Sequence, residues 1–582
     1  MFDLIIRNGL VVDGTGAEPV VADVAITGDR IAEIGPPGEV LGGATREIDA
    51  DGLVVTPGFV DIHTHFDGQA TWDELLEPAT PHGVTMVVFG NCGVGFAPVR
   101  PGGKDELISL MEGVEDIPGT ALSEGMSWNW ETFEEYLDVL RDGRWTADVG
   151  AMIAHGPVRA YVMGERGVRN EDATADDIAQ MAAIVESAIV AGAVGCSTSR
   201  TLGHTATSGE PVPGTFAGED EVFALARAVA RANDQTGRRA VLEWAPSGIT
   251  DDDHLDPRQE VEWMIRIAAE TGIPVTFLLL QTAYDSTMWR TQLDMIAKAR
   301  ADGHEVTAQV AGRPFGVLFS LQARHHFADL PGFAHLVEAS ASERAAAMRD
   351  PELRSRLIAE FGPFAETVSS LNATAARLFS DFERLYVLGD PVDYEPDRTK
   401  SIAGIAEARG VEPVEALYDE YLARDGQAVI MSTLLGYVDG NGDALHDMLV
   451  EDGTVMGLAD AGAHCFFICD ASTPTWNLAH WVRDRDGSRV PLAEMVKLMT
   501  ADTADLFGFD DRGRLLPGKR ADLNVIDLDG LSLREPHVVR DLPAGGPRFL
   551  QHAQGYRYTI VAGEITRQDD AFTDARPGRL LA

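Results

Sequence analysis

Two histidines one residue apart close an apolar run in GFVDIHTHFDG, residues 58–68. Side chains alternate faces along a strand, so Phe59, Asp61, His63 and His65 share one face while Val60, Ile62 and Thr64 share the other. Two imidazoles on one face, at the C-terminal end of a strand, can reach a single metal ion, and neutral imidazole is the commonest metal ligand. A coincidental surface pair would have the same spacing. The Val/Ile-rich run in front and the bracket of Pro57, Gly58 and Gly68 favour the ligand reading. A second element is GVTMVVFGNCGVG, residues 83–95, where Cys92 follows an apolar run among Gly90, Gly93 and Gly95. Glycine lets a backbone turn sharply and approach a bound group, and a thiolate on such a loop is a zinc ligand. A buried inert thiol is the alternative. The third element is VMGLADAGAH, residues 455–464. Asp460 ends a buried run, where a carboxylate is costly unless paired or metal-bound. It can ligate a metal, take a proton from water, or cap the next helix. His464 lies four residues on.

These residues need a scaffold that brings strand ends together. Eight apolar runs separated by helical segments supply one: TPGFVDIH, GVTMVVFG, DVGAMIAH, AVGCSTS, RAVLEW, IPVTFLLL, EVTAQV and TVMGLAD. That alternation predicts βα units and a parallel sheet, and eight is the number a (β/α)8 barrel requires. One unit shows the logic. Thr174 stands as N-cap with Asp177 at the third helical position. Ile178, Met181, Val185, Ala188 and Ile189 recur at helical spacing until Gly192. Residues 1–56 are instead dense in short β signals, and a similar pattern returns in GRLLPGKRADLNVIDLD and YRYTIVAGEI. The expected boundaries are therefore 1–56 and 511–566 for β-rich parts, 57–510 for the α/β body, and 567–582 for a polar arm. Residues 316–430 fit no βα rhythm and read as a helical insertion late in the body.

Bulk composition limits the function. The 582 residues exceed one simple core. The formal net charge of −45 repels nucleic acid and anionic membrane surfaces, which need a basic footprint. No transmembrane span and no signal peptide are expected, so cytoplasm is the expected compartment. Cys92, Cys196, Cys465 and Cys469 are too sparse for a disulfide scaffold.

RNGLVVDGTG, VTPGFVDIHTH, GVTMVVFGNCG, GLADAGAH and GKRADLNVID together resemble the amidohydrolase superfamily, and within it the D-aminoacylase group of N-acyl-D-amino-acid deacylases. GNCG is the most specific marker. The resemblance implies a (β/α)8 barrel, a small β-sandwich built from both chain termini, and a zinc site in the barrel mouth. It assigns His63, His65, Cys92 and Asp460 as ligands or catalyst. Many superfamily members bridge two metals with a carboxylated lysine on the fourth strand. Here no lysine lies between Lys104 and Lys298, which agrees with a cysteine-containing site. The family's fifth and sixth strands normally each supply a histidine. RAVLEWAPSG offers Glu243 instead, and VTFLLLQTAY offers Gln281. Three outcomes stay open: one metal on the four named residues, Glu243 in place of a lost imidazole, or lost catalytic competence.

Other polar residues fall near expected strand ends: Gln309 and Arg313, Ser199, Arg200 and His204, and His155 and Arg159. An arginine there could clamp a substrate carboxylate, and Gln281 could bond a substrate amide. Salt bridging or loop ordering is the alternative for each. His82 precedes its strand and belongs at the opposite end. The reading is a zinc-dependent amidohydrolase with one or two ions, other divalent metals remaining open. Asp460 would move the proton, and the substrate would be a small-molecule amide, an N-acyl (D-)amino acid by resemblance. A cyclic amide or imide hydrolase and a non-catalytic binding or assembly relative are the rivals, and a homo-oligomer is left open.

Overall fold

The structure is a computed structural model that describes residues 1–249 and 254–582. The apolar runs do become strands, and their pairing is parallel. We number them β1 (Phe59–Asp61), β2 (Val84–Phe89), β3 (Asp148–Ala151), β4 (Gly195–Ser199), β5 (Val241–Ala245), β6 (Val275–Leu279), β7 (Val306–Val310) and β8 (Thr454–Met456). β1, β2 and β3 form one parallel sheet. A short strand Ile153–Ala154, one residue beyond β3, starts the second, which continues through β4, β5, β6, β7 and β8. Past the ends of β1 and β8, Thr64 and Ala461 form a further parallel bridge. Every residue of β2, β4, β5 and β6 is buried, as strands covered on both faces must be.

Helices Ala175–Ala191, Glu219–Thr236, Pro257–Thr271 and Met288–Ala301 alternate with β4 to β7. The expected cap is present: the Thr174 hydroxyl accepts from Asp177 N, and the Asp177 carboxylate accepts from Thr174 N. Gly90 shows why glycine follows β2. It sits at φ +85°, and a Cβ there would lie 2.2 Å from the Met152 carbonyl oxygen.

A nine-stranded sheet unites the two ends of the chain, with Val54–Pro57 antiparallel to Leu523–Ile526. Leu4, Ile6, Val24, Ile26, Val55, Leu523, Val525 and Ile560 make its core. The tail continues past this sheet and runs beside β3: Val149 N donates to Arg579 O at 3.0 Å, and Leu581 N to Val149 O at 2.8 Å.

The segment expected to be a helical insertion carries five α-helices between residues 341 and 421, but two strands bracket it and a third lies within it. Phe315–Ser320 and Leu385–Val387 both pair antiparallel with Val429–Leu435. These runs are rich in β-branched and aromatic residues, and their short length alone does not separate strand from buried helix. The segment has its own core around Phe319, Phe327, Phe361, Tyr418 and Tyr421. It touches the β8 loop through Leu318 N, which donates to Phe467 O at 2.7 Å. Among the described residues, no helix is long and apolar enough to cross a membrane.

Candidate functional site

Four side chains from three strand ends converge. His63 Nε2 lies 3.3 Å from Cys92 Sγ and 3.3 Å from Asp460 Oδ1. His65 Nε2 lies 3.7 Å from the same aspartate oxygen. One ligand atom each from His63, His65 and Cys92 falls within 4.8 Å of the others. The alternation expected of the first strand ends at Asp61. His63 and His65 lie just beyond it, held by backbone bonds: Thr64 N to Val88 O, His65 N to Ala461 O, and Asp460 N to His63 O. Gln309, on β7, places its Oε1 2.8 Å from His63 Nδ1. An amide oxygen only accepts, so Nδ1 carries the hydrogen and Nε2 turns its lone pair toward Cys92 and Asp460.

The cluster is acidic and buried. Glu243 Oε2 accepts from Cys92 N at 3.0 Å, and Asp67 Oδ2 from Gly90 N at 3.3 Å. Glu115 Oε1 lies 3.3 Å from His65 Nδ1 and Oε2 3.5 Å from His464 Nε2. Burial pushes the Asp61 and Asp67 carboxyls up to about 7 and Glu243 to about 8, and raises Glu115 well above its ordinary value. Neighbouring carboxylates add to the effect on Asp61, Glu243 and Glu115. Burial likewise drives His63 and His464 down to about 4 and His65 to about 3, which keeps the imidazoles neutral. None of Asp61, Asp67, Glu115, Glu243 and Asp460 has a lysine or arginine ion-pair partner among the described residues.

This donor set fits a cation. Glu243 Oε1, Glu115 Oε1, Asp61 Oδ2 and His65 Nδ1 are buried without hydrogen-bond partners among the described residues, a pattern that calls for an ion or water. Imidazole nitrogen, thiolate sulfur and carboxylate oxygen are the ligands zinc takes. The backbone is also strained here. Cys92, Leu458, Asp460 and His464 hold φ of 56°, 58°, 46° and 49°. Left-handed backbone at a non-glycine residue costs roughly 1–3 kcal/mol and gathers at functional sites.

Several residues expected at the site have other partners. Gln281 donates to Asp439 Oδ2 at 2.7 Å and accepts from Val438 N at 3.1 Å. Arg200 is spent on Glu260 and the Gly214 carbonyl. Arg313 stacks on Tyr394 and binds Asp470, Ser472 and the Cys469 carbonyl. Ser199 Oγ pairs with His204 Nδ1 at 2.9 Å, and burial pushes His204 down to about 3, with the histidines of the cluster adding to the effect. His155 and Arg159 converge on Glu221. His82 binds Thr475 and the Gln551 carbonyl, beside the strands from the far end of the chain. Two carboxylates escaped the sequence reading. Asp67 was in view, two residues past His65 in HTHFDG. Glu115 carried no signal, being one acid among several in an ordinary helix.

Residues 46–567 match the sequence profile described as "Amidohydrolase family". An uncharacterized protein of Mycobacterium tuberculosis is 26% identical over 563 residues, spanning 90% of this chain and 84% of that protein. D-aminoacylase of Alcaligenes xylosoxydans xylosoxydans is 36% identical over 197 residues, 34% of this chain and 37% of that protein. A solved D-aminoacylase, described as defining a novel subset of amidohydrolases, superposes with a TM-score of 0.64 at 25% identity over 100% of both chains. Another D-aminoacylase structure, described through its binuclear metal centre with one-metal activation and second-metal attenuation, gives the same 0.64 and 25% over 100% of both chains.

Proposed function

The chain belongs to the amidohydrolase family, with the mixed α/β fold of D-aminoacylase, and from that premise we propose that it is a zinc-dependent hydrolase deacylating an N-acyl (D-)amino acid or a related amide. It is a hydrolase of C–N amide bonds. The convergence of His63, His65 and Cys92 on one point carries the metal part of the reading. The eight parallel strands, with the Thr64–Ala461 bridge, are read as a closed (β/α)8 barrel over 57–510. Residues 1–56 and 511–566 are read as a β-sandwich and 567–582 as an arm.

His63, His65 and Cys92 would hold the metal, with Asp460 beside them and Glu243 facing Cys92 from β5. A bound divalent metal supplies a Lewis acid for the carbonyl and lowers the pKa of water to about 7. The protein's own part is orientation and proton movement. Gln309 holds the His63 tautomer. Asp460, whose Oδ1 lies 3.3 Å from His63 Nε2, would accept the proton of the attacking water and return it to the leaving nitrogen. The one-metal activation described for a solved D-aminoacylase suits a site whose fifth- and sixth-strand positions hold Glu243 and Gln281 in place of histidine. One or two ions remain compatible with it.

A second reading is favoured by one observation. The three arginines offered as clamps for a substrate carboxylate, Arg159, Arg200 and Arg313, are already bound to Glu221, Glu260 and Asp470. A neutral amide, or a cyclic amide or imide, needs no such clamp. Metal analysis of the purified protein beside Cys92→Ala tests the metal. Near-stoichiometric zinc lost in the variant supports the reading, and a folded, metal-free wild type refutes it. Turnover on N-acyl D- and L-amino acids and on cyclic imides then separates the two substrate classes.

A further inference from the structure

Glu115 comes from neither strand end nor motif. It is the last residue of helix α1 (Lys104–Glu115), whose Leu107, Ile108, Leu110, Met111 and Val114 face the core. Asp116 follows at φ 51° and ends the helix. Its Oδ2 accepts from Phe466 N at 3.2 Å, and its Oδ1 faces Arg324 at 3.3 Å. His464 N donates to the Glu115 carbonyl. The end of α1 is thereby tied to the loop after β8, and the Glu115 side chain, 1% exposed, points between His65 and His464.

An acid there is costly twice over. It lies at a helix C-terminus, where the macrodipole disfavours negative charge, and it is taken out of water without a basic partner. Among the described residues its Oε1 has no hydrogen-bond partner, and neither has His65 Nδ1, 3.3 Å away. Isosteric glutamine would pack as well, so folding alone does not call for the charge. The other ring shows what the contact is for. His63 gives Nδ1 to Gln309 and presents Nε2 to Cys92 and Asp460. His65 presents Nε2 to Asp460 and Nδ1 to Glu115.

We propose that Glu115 is a positioning residue of the metal centre: facing His65 Nδ1 at 3.3 Å, it holds that ring with Nε2 inward, steadies His464, and adds negative charge beside the cation. This rests on the metal-site reading given above. It makes α1, an element outside the strand framework, part of the site, and supplies charge where the fifth and sixth strands lack imidazoles.

The test is zinc affinity by competition with a chromophoric chelator, together with the visible spectrum of the Co2+-loaded protein. Wild type is compared with Glu115→Gln and Glu115→Asp, and thermal unfolding in excess chelator reports folding separately. Glu115→Gln should fold as wild type does, bind zinc about 10–100-fold more weakly, and shift the cobalt bands. Glu115→Asp, which keeps the charge further back, should fall between the two. Zinc affinity and cobalt bands unchanged in Glu115→Gln would overturn the proposal while leaving the metal site intact. If that variant fails to fold, an unchanged affinity in Glu115→Asp overturns it equally. A wild type that takes up no zinc sinks the metal-site reading itself.

Discussion

Replacing Gln309 by leucine isolates what one outer hydrogen bond does for the site. Gln309 Oε1 lies 2.8 Å from His63 Nδ1, both side chains are buried, and Gln309 Nε2 has no partner among the described residues. Leucine is similar in size, so the change deletes one acceptor and little else. His63 Nδ1–H then becomes a buried donor without a partner, at a cost of about 1–3 kcal/mol. The neutral ring can relieve it by swinging toward another acceptor or by moving its hydrogen to Nε2. Either response withdraws the Nε2 lone pair from the point shared with Cys92 and Asp460. The loss therefore falls on the metal-bound state, where Nε2 must be bare. The zinc dissociation constant should rise about 10–100-fold, or about 1.4–2.8 kcal/mol at 1.4 kcal/mol per tenfold. Chelator competition measures it, with unfolding in excess chelator as the control. Gln309→Glu keeps an acceptor and should hold zinc at least as tightly as wild type. An unchanged dissociation constant in Gln309→Leu would refute the claim that this bond sets the tautomer.

Cys92→Ala should lose its metal and, with it, activity, as read by elemental analysis and turnover on the same sample; retained stoichiometric zinc would remove the thiol from the ligand set. Asp460→Asn should retain metal on His63, His65 and Cys92 while turnover falls about 10²–10⁴-fold, the usual scale of a lost general acid–base; a loss confined to KM would argue against proton transfer. Away from the site, Glu221 sits between His155 and Arg159. Burial alone would raise its carboxyl, but these two partners outweigh it and hold the pKa near 2, below the ordinary 4.5. Stability from this group is therefore complete above about pH 4.5 and is lost as pH falls toward 2. Its size is about 3 kcal/mol. Denaturant titrations at pH 7 and at low pH should show Glu221→Gln destabilised at neutrality and less sensitive to acid; equal acid sensitivity in both proteins would count against it.

What could be read along the chain was whatever repeats or terminates locally. The eight apolar runs, the capping pair Thr174 and Asp177, and the glycines around Cys92 all express rules that act within a few residues. HxH and GLAD could be singled out because histidine and aspartate are costly in a plain core, whereas GNCG stood out through its glycines and its resemblance to the D-aminoacylase group. The strands that bracket the insertion escaped because short apolar runs look alike in strand and buried helix. The commitments of Gln281, Arg200 and Arg313 escaped because each depends on a partner supplied by another part of the chain. Gln281, for instance, meets Asp439 across 158 residues.

The sequence by itself determined the strand framework, the donor chemistry of His63, His65, Cys92 and Asp460, and the absence of histidine at the fifth and sixth strand positions. Only the tertiary structure decided which groups stand against these side chains: Gln309 on His63 across 246 residues, Glu115 facing His65, and Glu243 against Cys92. The physical reason is one of range. Side-chain alternation and capping are properties of neighbours in the chain, whereas the tautomer of a ring and the charge around a cation are set by whatever the folded chain brings within about 3–4 Å.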